Sequence, residues 1–468
     1  MRIYEINTRV HCRSFDEITD EELREYASLG FDAIWLMGVW QISEGVRKFS
    51  KIVSEDFEGS PYAVPDYKYN RELGGKRSFA ALVKRAHKAG LKVLVDFVSN
   101  HMALDSPWID EDPALFIRSD ARVRKQATSD YFLHKSGEVV AFGRDPFFPP
   151  WHDTSQLDYS NKALRSRMIK VLKEIAQAAD GVRCDMAMLI LRDYFHNQWY
   201  PLVPEDWFHD RWPEEFWSQA IREVKAERPD FTFIAEAYWD KETRLIEMGF
   251  DYAYEKRLYD ALVARNAHSI NHWLSKDLAE VGSRVYFIEN HDEPRAAAVF
   301  DKKYNIAAAA LILSLPGAAL IHEGQLEGKR ERLPVQRIKP LTNEPVDVEL
   351  RDAYLQILKA TTGKVFQTGA LKVFDTSVYG VVSFMRQSQE RVAAYIGQIS
   401  DAWHLFHSAI LNITALAQAV GATRQMHVTN LITGESVLVE EKQGAFLLRP
   451  NQFSAGDTLF CLLEATPD

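Results

Sequence analysis

The chain has 468 residues, a formal net charge of −10 and a mean hydropathy of −0.26. The acidic balance argues against nucleic acid and anionic membranes as main partners, and no uncharged apolar run reaches the roughly 18 residues of a membrane helix. Because the N-terminus shows no signal-peptide pattern and the three cysteines are scattered without CxxC spacing, we expect a cytoplasmic protein with neither a disulfide framework nor a zinc site.

Short apolar segments alternate with amphipathic ones over the first three-quarters of the chain. The predicted strands are 2–8, 31–38, 91–98, 181–187, 231–237, 250–254, 284–290 and 318–324. Helical patterns lie between them, for example at 20–30, 78–90 and 163–179. Eight strands that alternate with helices predict a (β/α)8 barrel, the TIM-barrel fold.

Two further regions depart from this alternation. Residues from about 101 to 160 are rich in Pro, Asp and aromatics with little periodicity, which predicts a functional insert over the barrel mouth. Beyond about residue 365 apolar and polar residues alternate, with Thr-Gly and Gln-Gly turns, which is typical of an antiparallel β domain. We predict a catalytic barrel over 1–101 and 160–365, an inserted subdomain over 102–159 and a C-terminal β-sandwich over 366–468.

Charged residues occupy the ends of several predicted strands, where the active sites of (β/α)8 barrels lie. Arg183 and Asp185 are two residues apart on an otherwise apolar strand and therefore share one face. Further polar residues lie at the ends of three other predicted strands. They are Asp96, Asn100 and His101 at strand 91–98, Glu236 at strand 231–237, and Asn290, His291, Asp292, Glu293 and Arg295 at strand 284–290. A single Asp at a strand end is a helix cap about as often as it is a functional residue. A whole cluster of such charges without a function would destabilise the fold by several kcal/mol through desolvation and repulsion.

Two carboxyl groups that face one cleft are what glycoside hydrolysis requires. An adjacent Arg183 lowers the pKa of Asp185 and favours its ionised, nucleophilic form. Glu236, flanked by Ile234 and Ala237, is expected to have a raised pKa and to act as the general acid and base.

These motifs resemble the α-amylase family of retaining glycoside hydrolases. The segments "DFVSNH" (96–101), "GVRCDMA" (181–187), "IAEAYW" (234–239) and "FIENHD" (287–292) are similar to the family's four main motifs, in order. Three more resemble its accessory motifs: "GSPYAVPDY" (59–67), "QLDYSN" (156–161) and "GAALIHEGQ" (317–325). The resemblance covers about residues 1–365.

The resemblance implies a role for each matched residue. Asp185 is the nucleophile and Glu236 the acid/base. Asp292 is the third carboxylate, which holds the sugar 2- and 3-hydroxyls. The remaining sugar-site residues are Arg183, which positions the nucleophile, His101 and His291, which hydrogen-bond the glucosyl unit, Tyr62, which stacks beneath its ring, and Arg295, which follows the fourth motif.

The sequence also departs from the family. Asn100 matches a calcium ligand of many relatives and Asp96 a mainly structural position, but Met188 and Leu189 stand where many α-amylases carry a Lys-His pair. That Lys contacts sugar beyond the cleavage point and that His supports calcium. We therefore expect no required cofactor and only a doubtful calcium site.

The predicted function is a retaining α-glycosidase that hydrolyses α-1,4-linked maltooligosaccharides or α-glucans and prefers short substrates. Five aromatic side chains of the insert could narrow the cleft to a pocket, and we expect about half of them to pack the insert instead: Trp108, Phe142, Phe147, Phe148 and Trp151. A transglycosylase, isomerase or phosphorylase of the same family, active on trehalose or sucrose, would use the same residues. A non-enzymatic carbohydrate-binding protein is disfavoured by the intact carboxylates, and the sequence leaves the oligomeric state open.

Overall fold

A computed structural model describes residues 1–276, 278–339, 343–400, 406, 408–453 and 460–467. Its central feature is a closed barrel of eight parallel strands. They are β1 (Arg2–Asn7), β2 (Ala33–Met37), β3 (Lys92–Val98), β4 (Gly181–Asp185), β5 (Thr232–Ala235), β6 (Tyr252–Tyr254), β7 (Arg284–Tyr286) and β8 (Ala318–His322). Their order around the barrel is β1-β8-β7-β6-β5-β4-β3-β2. All eight predicted strands are confirmed.

One or more helices follow each strand. The longer ones are Asp20–Ser28, Glu44–Val53, Gly75–Ala89, Lys162–Ala176, Arg192–Trp199, Phe216–Glu227, Lys256–Val263, Ala267–Leu274, Lys302–Ser314 and Val348–Ala360. Shorter helices are Thr8–His11, Pro107–Glu111, Ala121–Gln126, Glu205–Arg211, Glu242–Glu247, Leu278–Gly282, Ala296–Val299, Lys364–Thr368 and Thr414–Val420. Single 3₁₀ turns lie at Phe15–Glu17, Pro113–Leu115, Ala187–Ile190 and Pro450–Gln452. Side-chain caps stabilise the first turn of several helices. At the helix Asp20–Ser28, for example, the Thr19 hydroxyl accepts a hydrogen bond from the backbone N–H of Glu22.

Side chains on each barrel strand alternate between two apolar layers. On β4, Val182 and Cys184 pack outward against the helices, whereas Arg183 points inward, where its guanidinium lies 5.3 Å from the centre of the Trp35 ring. Gly181 is required at the start of β4 because an added Cβ would lie 2.5 Å from the Thr232 carbonyl oxygen. The period-2 alternation therefore places the charged face of β4 inside the barrel.

The insert after β3 contains two small antiparallel sheets. His101–Ala103 pairs with Thr154–Gln156, and Val139–Ala141 pairs with both Arg118–Ser119 and Tyr131–Leu133. These strands are only two or three residues long, which is why the sequence shows no sustained alternation there.

The C-terminal region forms an eight-stranded antiparallel sheet with its own apolar core. Its strands are β9 (Ala370–Val373), β10 (Val381–Gln387), β11 (Val392–Gln398), β12 (Leu411–Asn412), β13 (Gln425–Asn430), β14 (Ser436–Lys442), β15 (Ala445–Leu448) and β16 (Phe460–Pro467). The predicted β domain is confirmed. The three domain boundaries and the sandwich arrangement stay predictions, and the side chain of Cys461 lies outside the described residues. Within the described part of the chain, none of the helices has both the length and the apolarity to span a membrane.

Candidate active site

Arg183 lies at the centre of a cluster of carboxylates inside the mouth of the barrel. Its guanidinium hydrogen-bonds Asp185 Oδ1 at 2.7 Å through Nη1 and forms an ion pair with Glu236 Oε1 at 2.9 Å through Nη2. Asp96 pairs in register with Arg183 across β3 and β4, and its carboxylate lies 3.9 Å from Nη1. All four side chains are buried. One guanidinium therefore holds two carboxyl groups close enough to act on one substrate bond.

The environment shifts the pKa values of these carboxyl groups upward. Burial raises the pKa of Glu236 to about 7, although Arg183 opposes the shift. Burial also raises the pKa of Asp185 above its ordinary value, and Arg183 lowers it, as the sequence predicts, without cancelling the effect of burial. Burial likewise raises the pKa of Asp96 to about 7. Because these carboxyl groups share the one Arg183 charge, ionisation of Asp185 favours the protonated form of Glu236.

The backbone around Glu236 holds its carboxylate in place. Met186 directly follows Asp185 and has φ of 45°, in the left-handed region that is unusual for a non-glycine residue. Its backbone N–H donates to Glu236 Oε2 at 2.6 Å, and the Tyr238 hydroxyl donates to Oε1 at 2.9 Å. Both carboxyl oxygens of Glu236 are thus held in place, one by the loop after β4 and the other by the loop after β5.

His291 links Asp292 to the barrel interior. Its Nε2 lies 2.9 Å from Asp292 Oδ2 and 2.6 Å from the Tyr62 hydroxyl, and its ring stacks on that of Tyr62. Burial alone would raise the pKa of Asp292, but His291 lowers it to about 2. The Asn290 side chain accepts the backbone N–H of Asp292 at 2.9 Å and orients the turn.

Sequence reasoning missed Glu5, which is buried on β1. Its Oε1 lies 2.5 Å from His291 Nδ1, and its Oε2 has no hydrogen-bond partner in the described part of the chain. Although burial would lower it, the pKa of His291 is well above its ordinary value because Asp292 and Glu5 both face the ring. The sequence contained a pattern that could have identified Glu5. It is a charged residue within the apolar strand "RIYEIN", just as Arg183 is a charged residue within "GVRCD".

His101 lies at the junction of the barrel with the insert. Burial lowers its pKa to about 4, so its ring is neutral near pH 7. Its ring centre lies 5.1 Å from that of Trp151. Gly143 passes so close that an added Cβ would lie 3.0 Å from His101 Cβ. The insert therefore packs directly against one of the predicted sugar-binding residues.

Arg295 belongs to a different buried cluster. Its Nη1 contacts Glu289 Oε1 at 2.6 Å and His322 Nδ1 at 2.9 Å, and donates to the Glu323 carbonyl. A cavity of about 230 Å3 lies beside this cluster, at the ends of β1 and β8 and in the segments that follow β1, β7 and β8. It is lined by His291, Arg295, His322 and Glu323 among others. The structure thus brings seven of the eight predicted site residues together and places Arg295 beside them, with its guanidinium engaged by protein atoms. Its sugar-binding role stays a prediction.

The residues at the predicted calcium position do not fit a cation. The Gln156 amide nitrogen donates to Asn100 Oδ1 and to the Asn100 carbonyl, both at 3.0 Å, so an amide donor faces the oxygens that would bind a metal. Met188 and Leu189 are buried in the 3₁₀ turn after β4. Across the described ranges, His, Cys, Asp and Glu side chains form no group of three or more that could hold a metal ion.

A (β/α)8 barrel with three carboxyl groups, one shared arginine and a charged histidine at the carboxyl ends of its strands is the architecture of a glycosidase active site. The family model of the α-amylase catalytic domain matches residues 18–347. The chain therefore belongs to the α-amylase family of glycoside hydrolases.

Individual relatives are distant. The chain is 26% identical over 347 residues to α-amylase MalA of Haloarcula japonica, a match that covers 70% of this chain and 44% of MalA. It is 28% identical over 252 residues to an α-1,4-glucan:maltose-1-phosphate maltosyltransferase of Cereibacter sphaeroides, covering 52% of this chain and 36% of that enzyme. A maltogenic α-amylase, AmyB of Thermotoga neapolitana, shares the fold with a TM-score of 0.73 at 21% identity, covering 99% of this chain and 98% of AmyB. The matches thus cover less than two-thirds of the length of both curated relatives.

Proposed function

We propose that this protein is a retaining α-glycosidase that hydrolyses α-glucosidic bonds of short α-1,4-linked maltooligosaccharides by double displacement. The observation that carries the proposal is the position of Arg183, which contacts both Asp185 and Glu236. A retaining pair needs its carboxyl groups about 5–5.5 Å apart, and a shared guanidinium favours such a short separation.

In the first step Asp185 attacks the anomeric carbon and forms a glycosyl ester, while Glu236 donates its proton to the leaving oxygen. In the second step Glu236 removes a proton from water, which attacks the anomeric carbon and releases Asp185. Asp292, kept ionised by His291, accepts hydrogen bonds from the sugar hydroxyls. Tyr62 and His101 hold the glucosyl ring, and no step requires a metal ion.

Transfer to another acceptor is the alternative, since one relative is named a maltosyltransferase and the same residues would serve both reactions. A product assay on maltotriose, trehalose and sucrose, with and without phosphate, separates the two. We also propose a cytoplasmic location, which rests on the buried, unpaired thiols of Cys12 and Cys184.

The test of the proposal is Asp185→Asn. An amide cannot form the glycosyl ester, so we expect turnover of maltotriose to fall by at least roughly 10³-fold with an unchanged circular dichroism spectrum. Asp180→Asn is the matched control, because Asp180 precedes the same strand at its opposite end and should leave turnover largely intact. Proton NMR of the wild type should detect the α-anomer first. Near-normal turnover in Asp185→Asn, or the β-anomer as first product, would refute the proposal.

A further inference from the structure

The helix Glu44–Val53, which follows β2, exposes three large apolar side chains to solvent. Phe49, Ile52 and Val53 are 43%, 83% and 70% exposed. Because they are spaced i, i+3 and i+4, they lie side by side on one face of the helix. These three residues are called the apolar stripe below.

The opposite face of the same helix packs against the protein with little apolar surface. Its buried residues are Val46 and Ser50. A helix on the surface of a globular protein normally buries its apolar face and exposes its polar one, so the usual pattern is reversed here. A contiguous apolar patch of this kind marks an interaction surface, which scattered apolar residues do not.

The helix is held firmly on the rest of the chain. At its start the Gly45 backbone N–H donates to Asp105 Oδ2 at 2.7 Å. Further along, Arg47 Nε and Lys51 Nζ form ion pairs with the two carboxylate oxygens of Glu58, at 2.7 Å and 2.9 Å. The fold therefore fixes the direction in which the apolar stripe faces.

Two charged side chains beside the stripe have no partner within the chain. In segment 44–58, every charged residue that the structure describes forms an ion pair except Lys48 and Glu55. Lys48 directly precedes the apolar stripe and Glu55 follows it by two residues. A free cation thus lies at one end of the stripe and a free anion at the other.

This arrangement is complementary to itself. In a two-fold dimer both copies use the same patch, so the patch must carry both partners of each contact. When two such helices pack antiparallel about an axis midway between residues 51 and 52, Lys48 of one copy faces Glu55 of the other, because both are equally far from that midpoint along the chain. The two apolar stripes then meet between two ion pairs.

We propose that the apolar stripe is a homodimer interface, in which the helix Glu44–Val53 of a second copy of this chain packs antiparallel against it and Lys48 of each copy pairs with Glu55 of the other. A stripe of three residues with a charged edge buries less than the roughly 800 Å2 per partner of a standard interface. The dimer is therefore weak, with a Kd on the order of 10 µM.

Sedimentation velocity over roughly 1–200 µM brackets this Kd. We expect the weight-average mass of the wild type to rise with concentration from 53.6 kDa toward twice that value. The double variant Phe49→Ser/Ile52→Ser should weaken dimerisation by at least roughly 100-fold, because each copy loses two apolar side chains from the interface. Tyr379→Ser, which removes an 82% exposed ring from the C-terminal region, is the matched control and should dimerise as the wild type does. All these side chains are exposed, so the fold should survive, and the melting temperature in dilute solution checks it.

Charge reversal tests the antiparallel arrangement. Lys48→Glu places two anions together at both ends of the interface and Glu55→Lys places two cations there, so each variant alone should weaken the dimer by at least roughly tenfold. An equimolar mixture of the two variants should dimerise as the wild type does, because both contacts of the mixed dimer again join opposite charges. Lys88→Glu changes an exposed lysine of the helix Gly75–Ala89. It is the control for net charge and should leave association unchanged.

A wild type that stays monomeric over the whole concentration range would overturn the inference, as would a double variant that dimerises like the wild type. A mixture of the charge variants that associates no better than either variant alone would overturn the pairing of Lys48 with Glu55, and with it the antiparallel interface. Vesicles of phosphatidylcholine provide the last comparison. Cosedimentation of the wild type with these vesicles that the double variant loses would show that lipid, and not a second copy, covers the apolar stripe.

Discussion

At the scale of single residues, the site is a small set of charged side chains that shift one another's pKa values. Two cations, Arg183 and His291, face Asp185, Glu236 and Asp292, and Glu5 supports His291 from within the barrel. The buried surroundings strengthen each of these interactions.

The pH dependence of kcat/KM follows from these charges. Glu236 must be protonated to act as the acid, so activity is present below its pKa of about 7 and is lost as the pH rises through that value. Asp185 must be ionised, and its raised pKa places the acidic limb above pH 4, near which an unperturbed Asp titrates. We therefore expect a bell-shaped profile for hydrolysis of maltotriose. Constant kcat/KM between pH 6 and 9 would contradict the assignment of Glu236.

Glu5 is a positioning residue, because it acts on the sugar site through His291. The titratable groups that face His291 are Glu5, Tyr62, Asp96, Asp185 and Asp292. In Glu5→Gln the pKa of His291 falls, because one of the two carboxylates that raise it is gone. The ring then loses its charge at a lower pH than in the wild type and no longer favours ionised Asp292.

We expect kcat/KM of Glu5→Gln to fall by roughly tenfold at pH 7, a loss of about 1.4 kcal/mol, and by much less at pH 5, where His291 stays charged. Glu255→Gln is the matched control, because Glu255 is an equally buried carboxylate paired with Arg284 outside the cluster. A loss in Glu5→Gln that is equal at both pH values would indicate a purely structural role.

At the scale of elements, the insert is attached to the barrel by a pair of amides. Asn100 follows β3, Gln156 ends the strand Thr154–Gln156, and their side chains hydrogen-bond each other in both directions. A cation at this junction would have to displace the Gln156 amide.

We accordingly expect activity and melting temperature to be unchanged by EDTA. Gln156→Ala should lower the free energy of unfolding by about 2–4 kcal/mol, because it leaves buried Asn100 groups without partners. Gln177→Ala, which changes an exposed helix-end residue, is the control and should have little effect in thermal denaturation. A loss of activity in EDTA that calcium alone restores would show that this junction binds a metal.

At the scale of the whole molecule, the barrel is surrounded by the insert on one side and the C-terminal sheet on another. Arg386 of β10 donates to the Ser314 carbonyl at 2.8 Å, and the Tyr395 hydroxyl of β11 donates to the Ala307 carbonyl at 3.1 Å. These contacts join the sheet to the helix Lys302–Ser314, which follows β7 and the loop that contains His291 and Asp292. The C-terminal sheet thus supports the barrel, and the insert shapes the site.

This arrangement predicts a preference for short substrates. Met188 is fully buried, and the cavity beside His291 is small, at about 230 Å3. Distant sugars then add little binding to the transition state, so kcat/KM should level off by about three glucose units. The measurement is a length series from maltose to maltoheptaose. A steep rise through the longest member, with internal cleavage of starch, would show an open cleft instead.

The sequence by itself determined the eight barrel strands and the β-rich C-terminus, and it predicted the residues of the candidate site other than Glu5. These follow from local patterns: alternation along β4 requires Arg183 and Asp185 to share a face, and parallel strands bring their carboxyl ends to one edge. For the insert aromatics, it predicted that about half would pack the insert. In the structure Trp108 is buried, whereas Phe147 and Phe148 are exposed.

Only the tertiary structure decided which of these groups meet. The contact between Glu5 and His291 joins residues 286 positions apart, and no local pattern encodes such a pairing. Burial, a property of the whole fold, outweighs the neighbouring arginine and sets the direction of the pKa shift of Asp185. The engagement of Arg295 by Glu289 and the contact of the Phe147 ring with that of Trp239 have the same origin, because contacts between distant segments form only when the barrel closes.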